Sequence, residues 1–499
     1  MAETERSAAA VVDPTAAAAA VTAAEWRLRL ALALMVASGF AGLGYQIVWT
    51  QQASAWLGHE TAAVLAVVAA FFGGLALGAL TLAPRIERSA HPARWYAACE
   101  AVIGLWSLAL ALLMAPAGRL LLDWTGAQPS PVWQWTVAFA GTFALLLPAT
   151  AAMGATLPAM ERVLAALRRE TSGSSIAALY AGNTLGAVVG VLAAAFWLVP
   201  GFGLTRTAAV CAALNLLCAA ATLLVFPRAA PAPITVPAAP ARGLARVLAA
   251  TGLLGIGYEV LVVRVLSQVS ENTVYTFAML LAVYLVGTAL GAAAYHRWRR
   301  QRAATGDVRG RLLVLLAAAC LAGSASLWAA DAVKAALLGA FEPSLATALG
   351  AEAALALIAF LPATVVMGAL FSHLAIEART SGLGFGRGLG VNTLGAAAAP
   401  PLFGVVLLPL VGPKFALIAV AAGYLALSWS GPRPKAVAWA LGGVALALAA
   451  MAPPLAFVDV PEGGRVVSYR DGAMAAVSVV EDADGVATLR INNRQQEGS

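Results

Sequence analysis

Near the middle of the 499-residue sequence, the apolar run GIGYEVLVVRVLS from Gly255 carries two charges, Glu259 and Arg264. A charge at the centre of a bilayer costs roughly 2.5–3.5 kcal/mol on insertion scales, so both residues must face protein or a water-filled cavity. Five positions apart, they lie about 140° around a helix, poor geometry for a mutual pair. A site for a cationic or zwitterionic ligand would use Glu259, Arg264 and the adjacent Tyr258. A structural charge pair with Arg264 snorkelling outward accounts for them equally well.

The same run occurs earlier without its charges. GLGYQIVWTQQAS from Gly42 places Tyr45, Gln46 and Gln51 where Tyr258, Glu259 and Arg264 stand, 213 residues earlier. LPATAAMGA from Leu147 returns as LPATVVMGA from Leu361, and GNTLGA from Gly182 as VNTLGA from Val391. One order of motifs at a nearly constant offset is an internal duplication of roughly 200 residues. Asn183 and Asn392, repeated with it, are either hydrogen-bonding glue between helices or part of a substrate lining. Gly74 with Gly78 and Gly287 with Gly291 are small-residue faces for close helix packing. Glu100 and Glu352 complete the candidates; each either binds a ligand or proton or reaches the headgroups from a helix end.

Other chemistry is poorly represented. The cysteines, Cys99, Cys211, Cys218 and Cys320, all lie in apolar runs without regular spacing, which fits buried small hydrophobes rather than disulfides or thiolate ligands. The four histidines show no metal-ligand spacing, so neither metal nor cofactor is expected in this chain.

The elements that position these residues must be membrane helices. Hydrophobic residues make up 61% of the chain, charged residues 11%, and mean hydropathy is +0.83, outside what a chain surrounded by water can bury. The apolar runs are helix-length and lack the alternation of a barrel. They predict helices at 28–54, 60–83, 95–121, 132–160, 174–199, 204–226, 247–269, 273–295, 310–339, 345–376, 387–410, 413–430 and 436–457. The domain reading is a disordered tail at 1–27, a six-helix repeat at 28–226, a Pro/Ala-rich linker at 227–246, a second repeat at 247–430 and an additional helix at 436–457. Residues 458–499 follow as the start of a β-meander of two or three strands. Pro453-Pro454 weakens the end of the last helix.

Basic residues alternate between loops. Of 31, 22 fall before the first helix, after each even-numbered one, or in the linker. The net charge of +7 therefore reflects the positive-inside rule rather than nucleic-acid binding, and puts the N-terminus in the cytoplasm. A thirteenth crossing would put the tail outside. Six helices per repeat make the repeats parallel, as in the two halves of major facilitator transporters. The fold class expected is an all-α polytopic membrane protein with two such repeats and a short C-terminal β-meander.

GLGYQIVW, GGLALGA, LPATAAMGATLP, YAGNTLGAVVG with VPGFGLT after it, and AVSVVEDADGVATLRINNRQQ occur in this order. The combination resembles the multi-pass membrane proteins fused to spermidine synthase, from Ala33 to the end. The resemblance implies a bacterial inner-membrane protein that binds, delivers or anchors for a polyamine or related small cation, with its chemistry in an aminopropyltransferase-like domain. The Gly-rich nucleoside-binding turn and the acidic residues of that domain are not in this sequence, since GGLALG at Gly73 lies within a membrane helix. Glu259 and Arg264 match the family's acid and base pattern, and Gln46 and Gln51 depart from it. Expected partners are therefore the lipid bilayer, a polyamine or other small cation, and a soluble aminopropyltransferase-like domain or subunit, with no nucleic acid. Two alternatives remain: a secondary transporter of a small cationic or zwitterionic solute, and a membrane scaffold for a separately encoded soluble enzyme.

Overall fold

Apolar runs become helices because a chain in lipid must satisfy its backbone hydrogen bonds within each segment. The computed structural model describes residues 14–167, 173–226, 242–270, 273–301, 307–429 and 436–498. Seven helices build the first half: α1 (Pro14–Leu57), α2 (Glu60–Thr81), the short α3 (Ala83–Glu87), α4 (Pro92–Thr125), α5 (Pro131–Leu167), α6 (Gly173–Ala193) and α7 (Val199–Val225). The second half contains α8 (Arg242–Val269), α9 (Val274–Gln301), α10 (Val308–Leu327), α11 (Ala330–Ala340), α12 (Leu345–Thr380), α13 (Phe385–Ala399) and α14 (Leu408–Ser428). A last helix, α15 (Ala436–Met451), follows.

Among the described residues, ten continuous helical runs are long and apolar enough to cross a membrane. Two of them, Ala178–Val225 and Phe385–Ser428, are too long for one crossing, since 40-odd residues reach on the order of 60 Å or more. Each is broken at a glycine with left-handed φ, Gly203 (φ 78°) and Gly412 (φ 76°), a conformation that costs glycine little. Each broken run is thus two arms, which restores six segments per half. A π-helical stretch precedes each break, at Ala194–Leu198 and Pro400–Leu407. The duplication therefore extends to the irregularities.

The glycine pairs allow helices to meet backbone to backbone. A Cβ on Gly78 of α2 would collide with the Ala151 carbonyl of α5, and one on Gly291 of α9 with the Val365 carbonyl of α12. Pro148 and Pro362 remain inside continuous α5 and α12. Each half has its own apolar core: one centres on Tyr45, Trp49, Tyr96 and Met160, the other on Tyr258, Phe360, Phe403 and Tyr424.

Several boundaries differ from the sequence reading. Helix α1 starts at Pro14, within the tail expected to be disordered, because residues 16–20 are all alanine, the strongest helix former. The helix expected over 310–339 turns at Trp328 and Ala329 before α11. Helix α15 stops at Met451 rather than 457, before the paired prolines, and spans 16 residues, about 24 Å. Its end adjoins the Gly412 break, where Lys414 Nζ donates to the Ala449 and Ala452 carbonyls at 3.0 and 2.8 Å. Residues 1–13, linker residues 227–241, and Arg168, Arg169, Arg302, Arg433 and Lys435 lie outside the described residues.

The meander has four antiparallel strands in sequence order, not two or three: β1 (Arg465–Asp471), β2 (Ala476–Glu481), β3 (Ala487–Ile491) and β4 (Arg494–Gly498). Asn492 and Asn493, at φ 47° and 63°, form the tight turn into β4, the conformation that favours asparagine in two-residue hairpins.

Candidate functional site

A cavity of about 310 Å³ opens between the halves, and its lining reproduces the duplication. Gly39 and Gly252, Met153 and Met367, and Thr184 and Thr393 line it as equivalent pairs. It therefore sits on the axis relating the repeats. Asn183 and Asn392 both border it, and Asn392 Nδ2 also donates to the Leu248 carbonyl at 2.9 Å and to Thr251 Oγ1 at 3.3 Å.

Where the paired positions differ, polar atoms appear. Gln46 faces Glu259, Phe71 answers Tyr284, Leu389 answers Tyr180, and Leu75 answers Thr288. Among the described residues, Glu259 is the only Asp, Glu, Lys or Arg in the lining. The hydroxyls of Tyr424 and Tyr284 converge one turn earlier on α8, where a Cβ at Gly255 would stand 3.6 and 3.9 Å from them. A single acid among tyrosines and amides suits a small organic cation with an apolar body, held by one charge and several hydroxyl or carbonyl acceptors.

A second cavity, about 710 Å³, shares Gln46 and Glu259 with the first and extends toward the loop between α1 and α2. Gln51, His59 and Glu60 line it from the first half, and Asn492 and Arg494 from the sheet. Burial, then the charge of Arg264, moves the His59 pKa below its usual value. A third pocket of about 40 Å³ holds both Glu259 and Arg264 in its wall. Glu259 thus lies where all three spaces meet.

The other sequence candidates are drawn elsewhere. Tyr45 and Tyr258 are fully buried and turned away from the cavity. The Tyr45 hydroxyl donates to Asn215 Oδ1 at 3.0 Å, and Asn215 Nδ2 donates to Glu100 Oε2 at 2.6 Å. The Tyr258 hydroxyl donates to the Ala359 carbonyl at 2.9 Å. Glu352 is buried on α12 and accepts from Thr276 Oγ1 at 2.8 Å. Neither Glu100 nor Glu352 reaches the headgroups.

Arg264 is neither free nor snorkelling. Its Nη1 donates to Asn492 Oδ1 at 2.6 Å and its Nη2 to the Gly472 carbonyl at 3.4 Å, so it fastens the sheet to α8. Gln268, one turn on, accepts from the Tyr469 hydroxyl and the Phe457 amide, both at 3.3 Å. Trp328 Nε1 donates to the Pro453 carbonyl at 2.9 Å, and Arg494 Nη2 to the Ser270 carbonyl at 3.2 Å. Burial raises the pKa values of Tyr469 and Asp471 above the usual range; the Tyr469 hydrogen bond and the charge of Arg264 oppose it at Asp471.

The sequence reading did not single out Tyr180, Tyr284 or Tyr424. The signal was present: Tyr284 and Tyr424 stand 213 residues from Phe71 and Cys211, so polar groups replace apolar ones at repeated positions, as at Gln46 and Glu259.

The architecture defines a multi-pass membrane protein with the two-half fold of the major facilitator class. A mutant form of the nucleoside transporter NupG superposes with a TM-score of 0.51 at 12% identity, covering 83% of this chain and 99% of that one. That likeness speaks for the fold. No family model matches the chain. Among curated proteins, a polyamine aminopropyltransferase of Corynebacterium efficiens is 28% identical over 201 residues, 39% of this chain. One from Mycobacterium tuberculosis is 31% identical over 194 residues, 38% of this chain. The match spans about a third, 34%, of the length of these relatives.

Proposed function

We propose that this chain is a secondary-transport module for a small organic amine, with Glu259 as its counter-charge. The observation that carries this reading is the isolation of Glu259: one carboxylate, with no basic residue, in the lining of a cavity shared by both halves. The two-half fold, shared with a solved transporter, supports transport, and the partial likeness to polyamine aminopropyltransferases supports an amine as the solute. The setting proposed is a bacterial inner membrane with the N-terminus in the cytoplasm, from the arginine-rich loops, and the sheet outside, since it is held at Arg264 and Ser270, the end of α8 away from Arg246.

The test is uptake of radiolabelled putrescine and spermidine into proteoliposomes. Replacing Glu259 by Gln keeps the shape and removes the charge, so uptake should fall at least about tenfold, the equivalent of ~1.4 kcal/mol. Unchanged flux would remove Glu259 from the mechanism.

The sequence likeness favours a second reading, in which the module binds an amine and presents it to an aminopropyltransferase-like domain or subunit. Calorimetric binding of spermidine by the purified chain, sensitive to Glu259→Gln but without flux into vesicles, would select delivery over transport.

A further inference from the structure

We propose that Glu100 is a proton-binding site of the first half, which ties the position of α1 at the cavity wall to proton uptake and release. The site follows from its own geometry; its link to solute movement rests on the transport reading above.

Glu100 has no exposed surface. One carboxyl oxygen, Oε2, accepts from Asn215, which in turn accepts from Tyr45. The other, Oε1, has no hydrogen-bond partner among the described residues. Among the described residues, the titratable groups facing it are Tyr45 of α1, Tyr96 and Cys99 of α4, and Cys218 of α7, none of them a cation. With no positive charge to balance a carboxylate there, a proton on Oε1 is the remaining way to make the group neutral. The one-sided hydrogen bonding leaves that oxygen open for it.

A route to the cavity exists. Ser38 of α1 lies against the carboxyl and also lines the central cavity. On release, the O–H bond at Oε1 breaks, the electron pair stays on the carboxylate, and the proton passes along Ser38 to water in the cavity. The carboxylate then requires additional donors. Those within reach are the Tyr96 hydroxyl of α4, on the same helix as Glu100, and the Ser38 hydroxyl of α1; α1 also carries Tyr45 in the network and Gln46, the next residue, in the wall of the cavity that Glu259 lines. Protonation at Glu100 thus acts on the helix that presents Gln46.

The device belongs to one half only. At the offsets relating the repeats, Glu100 corresponds to residues 309–314, RGRLLV, which include no acid.

Infrared titration of the detergent-purified full chain from about pH 5 to about pH 10 decides the proton site. Wild type should show a neutral-carboxyl C=O band that fades as pH rises, is absent in Glu100→Gln and survives in Glu259→Gln. No band lost in Glu100→Gln, or one that never titrates, would overturn the proposal by making Glu100 a packing residue. If Glu100→Gln does not fold, Tyr45→Phe replaces it: removing the donor to Asn215 should shift the band or its midpoint, and an unchanged band would overturn the proposal.

Coupling is read in vesicles under a pH gradient with labelled spermidine. Wild type should concentrate the probe, while Glu100→Gln exchanges it without accumulation. Accumulation equal to wild type overturns the coupling. If wild type moves no spermidine, the transport reading fails, yet the infrared titration still decides whether Glu100 binds a proton.

Discussion

In the first half, the YQ pair of α1 divides its work between two environments: Tyr45 is drawn into the Asn215–Glu100 network while Gln46 faces the cavity. In the second half, Tyr258 is tied to a helix carbonyl, Glu259 faces open space and Arg264 holds the sheet. The same packing frame carries a buried acid away from the axis in each copy, Glu100 and Glu352, and an acid on the axis, Glu259, in the second alone. Duplication preserved what lets helices approach. The charges, which a bilayer tolerates only at particular places, were distributed between the copies.

The strongest test of the shared frame is to attack it equally in both halves. Gly78→Leu and Gly291→Leu each drive a side chain into a facing carbonyl, and both should abolish monodisperse protein in detergent, because the clash is with backbone and cannot be relieved by a rotamer change. If Gly78→Leu were tolerated and Gly291→Leu were not, the halves would differ in packing as well as in charge.

Next in size is the charge itself. Glu259→Gln should lower amine uptake at least about tenfold, and the double change Gln46→Glu with Glu259→Gln asks whether the acid works from either repeat. Recovery of more than half the uptake would show the axis to be functionally symmetric. We expect no recovery, since Tyr284 and Tyr424 converge on α8 beside Glu259, whereas Phe71 and Cys211 hold the matching places beside Gln46.

A third effect concerns the fastening of the sheet. Arg264→Met removes a buried, charge-assisted hydrogen bond to Asn492, at a cost on the order of 1.5–3 kcal/mol. Limited proteolysis within residues 465–498 should accelerate severalfold or more, while putrescine binding at Glu259 persists. Loss of binding with an intact tail would return Arg264 to the ligand site.

Composition and the repeat made the membrane helices and the two-half plan legible, because hydrocarbon imposes length and apolarity on each span. The breaks at Gly203 and Gly412 lay within the predicted gaps between helices, at 199–204 and 410–413. The end of α15 at Met451 and the turn at Trp328 were missed, since local backbone choices leave a weak trace in uniformly apolar sequence. Glu259 could be singled out as a charge in an apolar run. The role of Arg264 could not, because its partners, Asn492 and Gly472, lie more than two hundred residues away and no local pattern encodes such a contact. The cavity tyrosines were readable only by asking where the repeats differ, a question put to Gln46 and Gln51 against Glu259 and Arg264 alone.

The smallest effect should separate the halves at the vestibule by pH. Burial raises Asp471 above its usual value of 3.8, with Tyr469 and Arg264 opposing. The docked sheet therefore binds that proton more tightly than a released one. Its contribution to docking is complete below the unperturbed value and is lost as pH rises through the raised one. Tail proteolysis should accelerate modestly from about pH 4 to about pH 8, and Asp471→Asn should flatten that rise. A slope of the opposite sign would mean that the charge of Arg264 outweighs burial. His59 borders the same vestibule from the first half, and its lowered pKa would weaken its surroundings as pH falls, the reverse direction. If the sheet rides on the second half alone, His59→Gln should leave the proteolysis profile unchanged. A profile that shifts with His59 would show both halves gripping the sheet, and then any rocking of one half against the other would have to break a contact at the sheet.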